Sequence, residues 1–206
     1  KGVRKPNAKL AGNLESITQA EIFIAKNRGM GKITGSIAIN NFPNIKTNLD
    51  LLNQVFYVFK ILLKLLTEEE KDEKFFILLE KYLNILEADP YDEKKTDILT
   101  AGFLFKILGE MGYRMEVERC VYCEKKLLPE NNYFSVARGG ILCKQCHRFE
   151  PKKIPVSNES IKLIRIFLQN RLENLSKVQV SQKEANQLKI ILNSTLNWIS
   201  SSNIGM

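Results

Sequence analysis

Cys120-Val121-Tyr122-Cys123 and, after nineteen intervening residues, Cys143-Lys144-Gln145-Cys146 form two C-x2-C pairs that contain all four cysteines of this 206-residue chain. Each pair can wrap a tight turn around one metal ion, and the span between them is long enough for a hairpin that returns the second pair to the first. Within that span, Asn131-Asn132-Tyr133-Phe134-Ser135-Val136 and Ile141-Leu142 flank Gly139-Gly140, which predicts a β-hairpin. Zinc suits the pattern. Thiolates from Cys120, Cys123, Cys143 and Cys146 would complete a tetrahedron and leave no position for water, so the expected cofactor is a structural Zn2+ in a closed, non-catalytic site. The same spacing also admits an iron–sulfur cluster, or redox-active or free thiols. His147, the sole histidine, adjoins the last cysteine. It can replace a thiolate, or, since four cysteines already satisfy the metal, lie exposed beside the site.

Helical patterns lie on both sides of this module. Thr47 or Asn48 can cap a helix in which Leu49, Leu52, Val55, Phe56, Phe59, Leu62, Leu63 and Leu66 recur at helical spacing and predict a core face. Phe75, Phe76, Leu79, Tyr82, Leu83 and Leu86 mark a second helix. A third, from about Thr96 to Met111, offers Ile98, Ala101, Phe105 and Leu108 before Gly112 stops it. After the cysteines, Ser157 precedes a helix carrying Ile161, Ile164, Phe167 and Leu168. Ser181-Gln182-Lys183-Glu184 matches a capping box ahead of Leu188, Ile191, Leu192, Thr195 and Ile199. Pro151, Lys152, Lys153 and Pro155 mark the exit from the module back to the helices. The N-terminal segment differs: Glu21–Lys26 and Lys32–Ile39 read as two strands flanking Asn27-Arg28-Gly29-Met30-Gly31, and Asn41-Phe42-Pro43-Asn44 ends them.

With 44% hydrophobic residues the chain can bury a real core. The greasiest stretch, Leu49–Leu66, contains Asn53, Gln54, Lys60 and Lys64, which argues against a membrane span. Two close cysteine pairs and no secretory leader pattern place the protein in the cytosol. The formal charge of +8 is unevenly spread: residues 1–48 carry +6, 49–113 carry −5, 114–149 carry +3 and 150–206 carry +4. Lys1, Arg4, Lys5, Lys9, Lys26, Arg28 and Lys32 lie in or beside the β-rich segment, where a positive groove can track phosphates and release counterions. Phe23 either stacks a base there or fills a core.

Catalytic signatures are sparse. One histidine beside a cysteine ligand supports no Cys/His pair and no Ser/His/Asp set. Gly29-Met30-Gly31 lacks the further glycine and lysine of phosphate-cradling loops. Glu68-Glu69-Glu70 and Asp92-Glu93 read as solvated loops between helices. A nuclease therefore has only the charged clusters in its favour, and a non-enzymatic role is expected.

Three stretches carry a family resemblance: Lys1-Gly2-Val3-Arg4-Lys5-Pro6-Asn7-Ala8-Lys9-Leu10-Ala11-Gly12; Gly112-Tyr113 followed by Cys120-Val121-Tyr122-Cys123; and Phe134-Ser135 through Gly139-Gly140-Ile141-Leu142-Cys143-Lys144-Gln145-Cys146. In order and separation they resemble the RecO family of bacterial DNA repair proteins over nearly the whole chain. The resemblance implies an α+β, mostly α fold: a partial N-terminal OB-fold over residues 1–45, then a helical domain over 46–206 with the zinc module, 114–152, inserted. It implies a recombination mediator that binds single- and double-stranded DNA, anneals complementary strands, engages the C-terminal tail of single-stranded DNA-binding protein (SSB), and with RecR helps load RecA. Arg4, Lys5 and Lys9 would belong to the basic OB-fold surface, with Lys26, Arg28 and Lys32 as the other candidate DNA contacts. The chain departs from the family pattern at both ends. The opening strands do not precede Lys1, which predicts an open barrel and reduced DNA affinity. The end at Gly205-Met206 lacks a basic, aromatic tail. The competing reading is a zinc-stabilised protein-interaction scaffold that touches DNA only incidentally.

Overall fold

The structure, a computed structural model, describes residues 15–26, 31–66 and 73–202, and the chain divides into two compact units between Leu52 and Asn53. The first unit is built on an antiparallel ribbon of β1 (Gln19–Ala25) and β2 (Lys32–Asn40). Its register shifts between Gln19 and Ala20 and again between Phe23 and Ile24, irregularities that bend and twist such ribbons. Phe23 pairs with Gly35, and a Cβ on Gly35 would sit 3.3 Å from its ring, so the missing side chain leaves room for the phenyl group. That ring is half exposed, which overturns the core reading of Phe23. Ile22, Ile24, Ile33, Ile37 and Ile39 are exposed as well.

The core of this unit lies at the end of the ribbon, where α1 (Pro43–Thr47) follows. Phe42, just ahead of Pro43, is disfavoured in the right-handed helical region by the proline ring. It takes a left-handed conformation (φ 46°), fully buried, with its N–H donated to Asn40 Oδ1 at 3.1 Å. Ile45, three residues further on, is buried too, and Lys46 Nζ donates to Thr18 Oγ1 at 3.0 Å, fastening α1 to the entry of β1.

Asn48 caps α2 (Leu49–Leu65), its Oδ1 accepting from the N–H groups of Asp50 and Leu51. Two apolar stripes run along this helix, and the buried one is Leu51, Val55, Val58, Leu62 and Leu65. The stripe expected from sequence shares Val55 and Leu62 with it but is otherwise rotated outward: Leu49 is 70% exposed, Leu63 80% exposed, and Phe56 and Leu66 nearly half exposed. Periodicity identifies amphipathic stripes but cannot choose between two of them; the packing partners do. In α3 (Glu73–Ala88), Phe75, Tyr82, Leu83 and Leu86 are buried, while Phe76 is exposed. Phe59, Leu62, Leu63, Leu66, Phe75, Phe76 and Leu79 line an apolar groove between the two helices.

The centre of the second unit is α4 (Glu93–Leu108), which starts on an Asp92 cap that accepts from Lys95 N–H at 2.9 Å. It packs against α3, α5 (Asn158–Gln169), α6 (Gln182–Ser202) and the 3-10 segment Leu172–Lys177. Surrounded in this way, α4 buries Leu99, Thr100, Phe103, Leu104 and Ile107 in addition to the expected Ile98, Phe105 and Leu108. Gly102 lies so near the 3-10 segment that a Cβ there would meet Leu175 Cδ1 at 2.3 Å. Tyr82 stacks on Phe103 with centroids 4.5 Å apart, and its hydroxyl pairs with Thr100 Oγ1 at 2.8 Å. Burial, only partly offset by that hydrogen bond, raises the Tyr82 pKa, so the phenol stays neutral. A wide turn, Gly109–Tyr113, ends the helix at Gly112, whose φ of 86° suits glycine. The Ser157 cap of α5 and the expected apolar faces of α5 and α6 are as read from sequence, except that Leu168 is only half-buried. Among the described residues no helix is long and apolar enough to cross a membrane.

A candidate metal centre

Between the wide turn and α5 the chain forms a small three-stranded antiparallel sheet in the order β4 (Gly140–Leu142), β3 (Asn132–Ser135), β5 (Ile154–Val156). The expected hairpin is present, with Gly139 in its connection at φ 65°. The Pro151–Pro155 exit carries β5, an element missed in the sequence because Pro155 breaks its pattern. Proline is tolerated there since β5 is an edge strand. Phe134, Ile141 and Leu142 form the fully buried heart of the module, with Met115, Val117 and Leu127 closing over it.

Each C-x2-C pair makes a hydrogen-bonded turn. In the first, Glu124 N–H reaches Cys120 C=O at 2.8 Å, with Glu124 left-handed at φ 60°. In the second, the N–H groups of Cys146 and His147 both reach Cys143 C=O, at 3.0 and 3.1 Å. The turns are tied together through Val121 N–H to Ile141 C=O (2.9 Å) and Cys143 N–H to Cys120 Sγ (3.4 Å). As a result all four sulfurs lie within 4.8 Å of one another, and Cys123 and Cys143 are 4.0 Å apart. Four sulfurs at zinc-bond length around one ion would be ~3.8 Å apart, so the cluster fits a structural zinc site with only small adjustment.

The protonation chemistry also suits a metal. Burial opposes ionisation of Cys120, but the backbone N–H groups of Cys123, Cys143 and Tyr122 outweigh it and bring that thiol down to about 7. Burial together with the neighbouring sulfurs pushes Cys146 up to about 12. A cation arriving among the four would displace the Cys146 proton and hold the crowded thiolates together. His147 turns away from the sulfurs in its bonding: Nδ1 pairs with Lys144 C=O at 2.6 Å and its ring stacks on Tyr133, 4.3 Å between centroids.

The module is anchored on the helices. Arg165 of α5 donates from Nε and Nη2 to the carbonyl of Val117 and pairs with Glu118 at 3.2 Å. Asn132, buried in β3, donates to Asn158 Oδ1 at 3.1 Å. Gly140 is packed against backbone: a Cβ there would meet Glu116 O at 2.6 Å and Val121 Cγ1 at 2.5 Å. Since a backbone carbonyl cannot step aside, Gly140→Ala is expected to destabilise the module by about 1–3 kcal/mol. Faster transfer of zinc from the variant to a chromophoric chelator is the readout, and wild-type transfer kinetics would refute it.

Of the candidate DNA contacts, Lys26 and Lys32 are exposed at one end of the ribbon, where Ala25 pairs with Lys32. Arg4, Lys5, Lys9 and Arg28 lie outside the described residues.

Comparison with known proteins bears on the whole chain. Residues 47–201 match the family model described as "Recombination protein O C terminal". Among similar proteins is the DNA repair protein RecO of Dehalococcoides mccartyi strain 195, 29% identical over 199 residues, covering 97% of this chain and 77% of that relative. The RecO proteins of Roseiflexus sp. RS-1 and Bacillus subtilis 168 are each 26% identical; the matches cover 97% and 93% of this chain and 69% and 73% of those proteins.

Proposed function

The chain belongs to the recombination protein O family of DNA repair proteins, and from that membership we propose that it is a non-hydrolytic recombination mediator of the bacterial cytosol. On this reading it binds single- and double-stranded DNA, anneals complementary strands, and with RecR helps load RecA onto strands coated by SSB. The observation that carries the proposal is the similarity to RecO proteins along 97% of the chain. The local chemistry agrees. A cluster of four thiolates closed around one zinc leaves no position for a substrate, so Cys120, Cys123, Cys143 and Cys146 would hold the ion for architecture alone.

DNA affinity is assigned to phosphate neutralisation by the basic N-terminal segment, through Arg4, Lys5, Lys9, Lys26, Arg28 and Lys32. For the acidic tail of SSB, the fitting surface is the groove between α2 and α6, where Ile61, Leu65 and Leu196 make an apolar floor beside Lys60 and Lys64. Salt titration tests the DNA reading. Log affinity for single-stranded DNA is expected to fall linearly with log salt, and each of Lys26→Ala and Lys32→Ala to flatten the slope by about 0.7. Affinity independent of salt would favour the protein-interaction scaffold instead.

A further inference from the structure

Three loops of the cysteine module meet at the surface in a ladder of rings and cations. Tyr122, from the first cysteine turn, stacks on Phe149, from the 3-10 turn after the second, with centroids 5.0 Å apart and planes 14° from parallel. The Arg138 guanidinium lies over Tyr122 at 5.2 Å, and that of Arg148 over Phe149 at 4.8 Å. Tyr122 is 46% and Phe149 49% exposed, although the module fills its own core without them. Arg138 is also fixed: its Nε donates at 3.2 Å to Glu150 Oε2, a nearly buried carboxylate oxygen that also accepts from Ser135 Oγ at 3.1 Å. Each ring has one face against the other ring and its outer face under a guanidinium, so the ladder presents two outer guanidinium planes and the exposed edges of two rings at the surface.

We propose that this ladder binds unpaired bases of single-stranded DNA. Guanidinium planes, backed here by aromatic rings, are groups on which splayed-out bases stack, with little regard to sequence because every base has a π-face. A duplex keeps those faces inside its own stack and gains nothing here. The local charge points the same way: residues 114–149 carry a formal +3, and a zinc–tetrathiolate core takes about two of these away. With so weak a net field, attraction at this site rests on stacking more than on phosphate neutralisation. The inference builds on the DNA-binding reading above and adds a second contact, distinct in chemistry from that assigned to the basic N-terminal segment.

The test uses the full zinc-loaded chain and a fluorescein-labelled oligothymidine of about thirty nucleotides, followed by anisotropy. The double variant Tyr122→Leu/Phe149→Leu keeps apolar bulk and removes the rings on which the two guanidinium planes rest. It is expected to bind about tenfold more weakly, with an unchanged salt slope, one zinc per chain, and unaltered affinity for duplex DNA. In parallel, a 5-iodouracil oligonucleotide irradiated with the wild-type protein is expected to crosslink at Tyr122 or Phe149. Wild-type affinity in the double variant, with crosslinks elsewhere, would overturn the ladder and leave DNA binding intact. A wild-type protein that does not bind the oligonucleotide at all would overturn both. If the variant loses zinc and neither wild-type ring crosslinks, the ladder is only a cover for the sulfurs. If it retains DNA affinity but loses capture of an acidic peptide, the surface serves protein; either result also overturns the proposal.

Discussion

Cys120→Ser is expected to reduce bound zinc from one per chain to about none and to unfold residues 114–156 while leaving most of the helical signal in place. Cys120 is buried, and its sulfur accepts the Cys143 N–H that joins the two cysteine turns. Serine keeps its proton at neutral pH and presents a harder, shorter donor, so the ion would face three thiolates in a cavity cut for four. The module has little else to stand on. Its sheet has only three short strands, and its fully buried apolar side chains are Phe134, Ile141 and Leu142. Zinc contributes roughly 10–16 kcal/mol in isolated zinc-finger peptides, far more than so small a core supplies. Elemental analysis gives the stoichiometry, and limited proteolysis at Lys125 and Lys126 reports the unfolding. A Cys120→Ser protein that retained one tightly held zinc and resisted protease would eliminate the four-thiolate centre.

The cysteine turns were readable in the sequence because their information is local: two residues between paired cysteines, a Gly-Gly turn between strands, and side chains such as Asn48 and Ser157 that cap the helix next to them. What sequence could not supply was the choice among partners. Nothing local to α2 distinguishes the stripe through Val55 and Val58 from the one through Phe56 and Leu63; only the neighbouring helices bury the first and leave the second out. The all-round burial of α4 is likewise a property of its three helical neighbours, and its mixed pattern hid it. The Tyr122–Phe149 ladder joins residues far apart in sequence, each unremarked until the cysteine turns bring them together. Membership in the family was visible in short motifs, yet the contacts to DNA were not, because lysines and arginines alone do not distinguish a phosphate-tracking surface from a solvated one.

Phe103→Ala is expected to cost about 3–5 kcal/mol and, for a chain of this size, to lower Tm by about 6–20 °C. Phe103 is fully buried in α4, with its ring against Tyr82 of α3. That contact cannot collapse to fill the gap, because the Tyr82 hydroxyl is held by Thr100, one turn before Phe103 on α4 itself. Moving the tyrosine ring inward would strain or break the bond and leave two buried hydroxyls without partners. Next to Phe103 in α4, Gly102 already admits Leu175 to the limit of contact, so the 3-10 segment has no room to advance either. Phe103→Leu, which restores most of the volume, should recover most of the loss when thermal unfolding is followed by circular dichroism. Zinc content measured well below the transition should equal wild type in both variants, since the cysteine turns are made by hydrogen bonds within the module. A transition unmoved by Phe103→Ala would mean that α4 is not the element on which the bundle closes.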